Sequence, residues 1–167
     1  MLDLTNKTAL ITGGGSGIGL GIAQALAEAG CRVMIAGRNL SKLEEAAATV
    51  AEPNRPLVKA CDITDREEVT ELIAHAESAF GHIDILANSA GLNVAKRKMC
   101  ELSPEDFDRI MAVNCTGLFN VLQAVLPGMR QRQDGLIFSV SSIAGKRALP
   151  LAGPAYATSK FGATALG

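Results

Sequence analysis

The sequence predicts an α/β fold in which a doubly wound parallel sheet carries helices on both faces. Short apolar runs alternate with segments of helical periodicity from one end of the chain to the other. Glycine-rich or polar residues follow several of these runs, at the strand ends where such sheets bind ligands. The 167 residues, of which 48% are hydrophobic and 20% charged, are predicted to form one domain over residues 1–167.

Five apolar runs predict the strands. They are Thr8–Thr12, Arg32–Ala36, Pro56–Ala60, Ile83–Ala87 and Gly135–Val140. In the first intervening helix, Ile18, Ile22 and Leu26 recur at helical spacing and are predicted to face the core. Asp65 and Ser103 are predicted N-caps of later helices, because their side chains can accept hydrogen bonds from the first turn.

Composition excludes several classes of function. Sixteen Lys and Arg against 17 Asp and Glu give a net charge of −1, whereas a nucleic-acid binder needs a basic surface. No apolar run approaches the roughly 20 residues of a membrane span, and the N-terminus lacks the pattern of a signal peptide. Four scattered cysteines and two histidines have no zinc-site spacing. We therefore expect a cytoplasmic protein without a metal, nucleic-acid or membrane partner.

A glycine-rich loop, Thr12–Gly19, joins the first strand to the first helix. Glycines allow the backbone to approach a pyrophosphate, and a helix N-terminus offers free N–H groups and a positive dipole end. The spacing is Gly-x-x-x-Gly-x-Gly, and no Gly-Lys-Ser/Thr follows, so it is not a nucleoside-triphosphate loop. A simple turn is the alternative. The predicted dinucleotide contacts are Gly13, Ser16, Gly17, Ile18 and Gly19.

The end of the second strand indicates which dinucleotide is preferred. Arg38 stands there, and no acidic residue lies between Cys31 and Ser41. An acid would select the ribose 2′-hydroxyl of NAD, whereas an arginine can bind a 2′-phosphate. NADP(H) is predicted, with NAD(H) possible; a solvated loop charge is the alternative. Asp62 and Ile63 follow the third strand and are predicted to contact the adenine, unless Asp62 serves only a local turn.

Further motifs follow in order along the chain. They are Asn88-Ser-Ala-Gly91, Asn114, Ser141-Ser142 and Tyr156-x-x-x-Lys160. Together with the glycine loop they resemble the short-chain dehydrogenase/reductase family over the whole chain. The resemblance implies a Rossmann fold in which Asn88, Ala90 and Gly91 lie beside the cofactor. The family more often has Asn-Asn-Ala-Gly, so Ser89 removes the hydrogen bonds of the second asparagine.

Tyr156 and Lys160 carry the predicted chemistry. Four residues apart on a helix, they share one face. Tyrosine has a reference pKa of about 10, and a nearby ammonium favours the phenolate. Tyr156 is therefore predicted to act as general acid toward a carbonyl or base toward an alcohol. The family implies that Lys160 also reaches the cofactor ribose beside Tyr156, that Ser142 polarises the substrate oxygen, and that Asn114 holds a water relaying protons to Lys160.

The predicted function is hydride transfer between nicotinamide and a small carbonyl or alcohol substrate. Family members are longer than 167 residues, so the resemblance implies that the last strands are missing and leaves homo-oligomer formation possible. One alternative is a catalytically inactive dinucleotide-binding fragment or regulatory paralogue. Another is an epimerase or dehydratase with Gly-x-x-Gly-x-x-Gly, which Ser16 disfavours. Lys146 and Arg147 suit an acidic substrate, but a solvated charge pair is the favoured interpretation.

Overall fold

The computed structural model describes residues 3–167. Its five parallel strands are β1 (Thr8–Thr12), β2 (Arg32–Gly37), β3 (Leu57–Ala60), β4 (Ile85–Asn88) and β5 (Leu136–Ser139). The sheet order is β3-β2-β1-β4-β5, which confirms the predicted doubly wound α/β fold. The chain reverses its direction of winding between β1 and β4, and in such sheets the crevice at the reversal is the ligand site.

Six α-helices surround the sheet. They are α1 (Gly17–Glu28), α2 (Leu40–Ala47), α3 (Arg66–Phe80), α4 (Pro104–Met111), α5 (Leu118–Arg132) and α6 (Pro154–Leu166). A π-helical turn over Ala112–Gly117 joins α4 to α5 without a break. The predicted caps are confirmed: Asp65 accepts hydrogen bonds from the N–H groups of Glu67 and Glu68, and Ser103 accepts one from Asp106.

Each face of the sheet has its own apolar core, because successive strand residues point to opposite sides. Leu10 and Leu86 lie in one core, with α3 and α5 over them. Ile11 and Ile35 lie in the other core, against α1 and α2.

Ile22 and Leu26 are partly buried against the core, as predicted, but the prediction that Ile18 lies on the buried face of α1 is wrong. Its buried residues are Gly19, Ala23 and Ala27, whereas Ile18 is 64% exposed. The cause is close packing, since a Cβ on Gly19 would collide with the carbonyl oxygen of Gly13. Small residues therefore face the sheet, and Ile18 is left at the mouth of the glycine loop.

The continuous helix Pro104–Arg132 departs from the expectation that no apolar segment is long enough to span a membrane. It has 29 residues and a mean hydropathy of 1.5 in its apolar window, 44% of which is buried. Three of its own residues, Val121, Val125 and Met129, are buried in the core. A core helix meets the same length and composition criterion, so the absence of a membrane partner stays a prediction.

At the amino-terminal edge of the sheet, the Asp84 side chain links the start of β1 to the start of β4. Its buried carboxylate accepts hydrogen bonds from the Thr8 N–H at 2.9 Å and the Thr8 hydroxyl at 3.1 Å. Lys7 Nζ and His82 Nε2 lie 3.4 and 3.2 Å from its other oxygen. Burial alone would raise the pKa of Asp84, but the hydrogen bonds from Thr8 and the nearby positive charges outweigh it and hold that pKa below its usual value.

Candidate active site

Two cavities adjoin at the carboxyl edge of the sheet, with volumes of about 270 and 670 Å³. Their shared walls are Gly13, Ser16, Ala90, Gly91 and Leu92. The smaller cavity extends toward the ends of β2 and β3, and the larger toward α6. Together they form one trough that crosses the sheet at the β1–β4 reversal, as an elongated ligand requires.

The glycine loop forms the floor of this trough. Gly13 has φ 69°, and a Cβ there would lie 2.7 Å from the backbone Cα and N of Ala90. Gly17 has φ 53° but faces open space. The Ser16 side chain caps no N–H of α1, and the first turn of α1 contains no acidic residue. The N–H groups of that turn are thus available to an anion such as a pyrophosphate.

The smaller cavity brings together Arg38, Asp62 and Ile63, as predicted, and adds Lys42. Lys42 lies beside Arg38 because Asn39 caps α2 and accepts a hydrogen bond from the Lys42 N–H at 3.1 Å. Among the described residues neither cation forms a salt bridge within 4.0 Å. Sequence reasoning missed Lys42; the capping pattern after Arg38 was the available signal.

Asp62 forms a local turn and also lines the smaller cavity, and its contact with adenine stays a prediction. Its Oδ1 accepts hydrogen bonds from the N–H and hydroxyl of Thr64, at 2.9 and 2.8 Å, in a local turn. Its side chain also lies in the wall of the smaller cavity, next to Ile63. The second carboxylate oxygen has no hydrogen bond to the described residues, so it remains available to a ligand.

Tyr156 and Lys160 lie in the wall of the larger cavity. Lys160 is 6% exposed, and its Nζ lies 5.8 Å from the centre of the Tyr156 ring. The same Nζ donates a hydrogen bond to the carbonyl of Val140 at 2.8 Å. Burial lowers the pKa of Lys160. A Cβ on Gly91 would lie 3.3 Å from Asn114 Oδ1 and 3.5 Å from this Nζ, so Gly91 packs closely against both side chains.

Asn114 lies in the π-helical turn and is 2% exposed. Its Oδ1 accepts from the Leu92 N–H at 2.8 Å, and its Nδ2 donates to the Leu92 carbonyl at 2.9 Å and to Ser159 Oγ at 3.0 Å. Both amide hydrogens are therefore used, and the side chain positions Leu92 and α6. Sequence reasoning missed Ser159, and the predicted water relay stays a prediction.

Ser142 and Asn88 line neither cavity. Ser142 Oγ accepts a hydrogen bond from the Ala144 N–H at 3.1 Å, whereas the Ser141 hydroxyl lies 2.7 Å from Thr164 Oγ1 and is occupied by α6. The Asn88 amide is buried and has no hydrogen-bond partner among residues 3–167. Its backbone carbonyl accepts from the Val140 N–H at 2.7 Å, so Asn88 braces the sheet through its main chain.

No group of three or more His, Cys, Asp or Glu side chains within residues 3–167 is arranged to hold a metal ion. The cavity walls instead offer backbone N–H groups, four cationic side chains and a phenol. These groups fit a phosphorylated dinucleotide.

Comparison with known proteins shows what the chain resembles. A family model described as short chain dehydrogenase matches residues 7–167. An uncharacterized oxidoreductase of Staphylococcus saprophyticus is 39% identical over 147 residues, which are 87% of this chain and 62% of the relative. The chain thus spans less than two thirds of the length of that relative.

Solved structures of two reductases are also similar to this chain. Levodione reductase superposes with a TM-score of 0.92 at 30% identity, covering 97% of this chain and 64% of the reductase. A variant of actinorhodin polyketide ketoreductase with NADPH superposes with a TM-score of 0.90 at 31% identity, covering 99% of this chain and 64% of the ketoreductase.

Proposed function

Because the chain belongs to the short-chain dehydrogenase/reductase family of oxidoreductases, we propose that it transfers hydride between NADP(H) and a carbonyl or secondary alcohol. The observation that carries this proposal is the buried Lys160 ammonium beside the Tyr156 ring, in a trough that continues to the glycine loop. The chain covers 62% of its Staphylococcus saprophyticus relative, so the activity proposed is that of the whole protein.

The residues of the trough suit each part of NADP(H). The N–H groups of the first turn of α1 would hold the pyrophosphate. Arg38 and Lys42 would hold the 2′-phosphate, because both are cations without a salt-bridge partner among residues 3–167. Asp62 and Ile63 would meet the adenine. NADPH in the ketoreductase structure is in keeping with this preference.

The bound cofactor supplies the hydride chemistry, and the protein supplies a proton and charge. In reduction, the Tyr156 hydroxyl donates its proton to the substrate oxygen; in oxidation, the phenolic oxygen receives it. The Lys160 ammonium stabilises negative charge on that phenolic oxygen by Coulomb attraction. Its own position is fixed by the Val140 carbonyl. That Ser142 polarises the substrate oxygen stays a proposal taken from the family resemblance, because this residue, three positions after β5, lines neither cavity.

The test is Tyr156→Phe. We expect turnover to fall by about 100-fold or more, because positioned acid–base groups contribute roughly 10² to 10⁴. NADPH affinity should remain within a few-fold, since the ring is kept. Turnover is measured as NADPH oxidation with ketones, aldehydes and β-keto esters, and NADPH affinity is measured by calorimetric titration. Thr158→Val is the matched control, because Thr158 is an exposed hydroxyl on the same helix. Unchanged turnover in Tyr156→Phe contradicts the proposal.

A catalytically inactive dinucleotide-binding fragment or regulatory paralogue is the second candidate. It is favoured by the position of Ser142 outside both cavities. NADPH binding by the unmodified chain with no oxidation of NADPH across the whole substrate panel would indicate this second function.

A further inference from the structure

Arg97 has no role in the function proposed so far, yet it lies in the wall of the larger cavity with Tyr156. It belongs to the loop that follows β4. Among the described residues its side chain forms no salt bridge within 4.0 Å. Lys160 is the other charged residue in this wall, and no acidic side chain lines it. Arg97 is therefore an exposed cation without a salt-bridge partner among residues 3–167, in the wall that also contains the phenol.

The loop that carries Arg97 is fastened to the segment that leads into α6. Asn93 Nδ2 donates a hydrogen bond to the Ala152 carbonyl at 3.0 Å. Gly153 has φ 80°, and a Cβ there would lie 2.8 Å from the Cβ of Arg97. Since α6 begins at Pro154 and contains Tyr156, this packing fixes the backbone of Arg97 relative to the proton donor.

The same wall also contains two large apolar side chains. Leu92 and Leu151 line the same cavity, and Leu151 is 88% exposed although it is a large hydrophobic side chain. A ligand that covers Leu151 and ends in an anion would satisfy both exposed features at once. Arginine binds carboxylate and phosphate oxygens through two parallel N–H bonds.

We propose that the substrate is an anionic carbonyl or hydroxy compound whose carboxylate or phosphate group is bound by Arg97. The inference rests on the proposed function, because it assigns the reacting oxygen to Tyr156. Arg97 would be a specificity-determining residue: it binds the anion, and the apolar part of the substrate lies against Leu92 and Leu151.

The test compares a keto acid with its methyl ester, which has the same ketone but no charge, and with a keto phosphate monoester. We expect Arg97→Gln to lower kcat/KM for the anions by about 10- to 100-fold, mainly through KM, as for loss of a charged hydrogen bond. The ester should change by less than about 2-fold. Lys96→Gln is the matched control, because Lys96 is an exposed cation in the same loop that lines neither cavity.

A second readout needs no turnover. The chain has one tyrosine and no tryptophan, so its ultraviolet emission comes from Tyr156. Titration with the keto acid or phosphate ester should change that emission saturably in the unmodified chain and in Lys96→Gln, but not in Arg97→Gln. The arm that saturates at lower concentration identifies which anion is preferred.

The outcomes separate the two ideas. Equal reduction of acid and ester, unaffected by Arg97→Gln, overturns the anionic substrate and leaves the oxidoreductase intact. An absence of turnover with every substrate counts against the proposed oxidoreductase activity. The emission titration still tests whether Arg97 binds the anion. Absence of any anion-dependent emission change, or an equal change in Arg97→Gln, overturns the role of Arg97.

Discussion

Alanine substitutions at two glycines of the glycine loop allow the contact between this loop and the backbone after β4 to be measured as a difference in stability. Gly13 and Gly17 both have positive φ, 69° and 53°. A Cβ at Gly13 would lie 2.7 Å from backbone atoms of Ala90, whereas a Cβ at Gly17 meets nothing within 4 Å. Gly13→Ala and Gly17→Ala therefore share the conformational cost, and only Gly13→Ala adds a collision with the backbone.

The magnitudes follow from these distances. Left-handed backbone costs an alanine about 1 to 2 kcal/mol, and the stiffer unfolded chain returns about 0.4 to 1 kcal/mol. Gly17→Ala should thus lower the free energy of unfolding by about 1 kcal/mol. The collision in Gly13→Ala adds about 1 to 3 kcal/mol, as overpacking does. A chain of this size shifts its Tm by about 2 to 4 °C per kcal/mol.

The assay is urea unfolding followed by circular dichroism, with NADPH titration of each folded variant. Gly17 lines the larger cavity, so its added methyl should weaken NADPH binding with little loss of stability. Gly13→Ala should lose stability first. If Gly13→Ala is no less stable than Gly17→Ala, the glycine loop does not contact the backbone after β4. The glycine loop would then not form the floor of the trough.

Two further outcomes are expected. Arg38→Gln should weaken NADPH binding by about 10-fold or more, the value of a charge-assisted hydrogen bond, and leave NADH binding unchanged; an equal loss for both cofactors would show that Arg38 does not contact the 2′-phosphate. Because the folded pKa of Asp84 is lowered, its stabilisation is complete above the unfolded value of about 3.9 and is lost as pH falls below it. Asp84→Asn should cost about 1 to 3 kcal/mol at pH 7 and reduce this acid-dependent loss, and acid titration of stability that runs parallel in both proteins would contradict the assignment.

The strands and helix starts could be predicted because their signals are local. Apolar runs mark β1 to β5 to within two residues, since buried parallel strands are apolar on both faces. Asp65 and Ser103 cap helices through hydrogen bonds that span only two or three residues. The residues predicted to bind the cofactor also have local signals, because the glycine loop and Arg38 directly follow β1 and β2 along the chain.

Features that depend on distant contacts could not be predicted. The buried face of α1 is set by how closely Gly19 approaches Gly13 across the loop, which no helical periodicity records. The π-helical turn is fixed by Asn114 and its partners Leu92 and Ser159. Helix α5 also continues through Pro127, although proline removes one hydrogen bond of the helix and its ring crowds the preceding turn.

The hydrogen bonds of Asn114 have a consequence for assembly of the protein. One amide joins Leu92 and Ser159, which lie 22 and 45 residues from it along the chain. None of these three segments can dock without leaving a buried amide or backbone group unpaired, at a cost of about 1 to 3 kcal/mol each. The wall behind the phenol should therefore form cooperatively, in a single late event, rather than piece by piece.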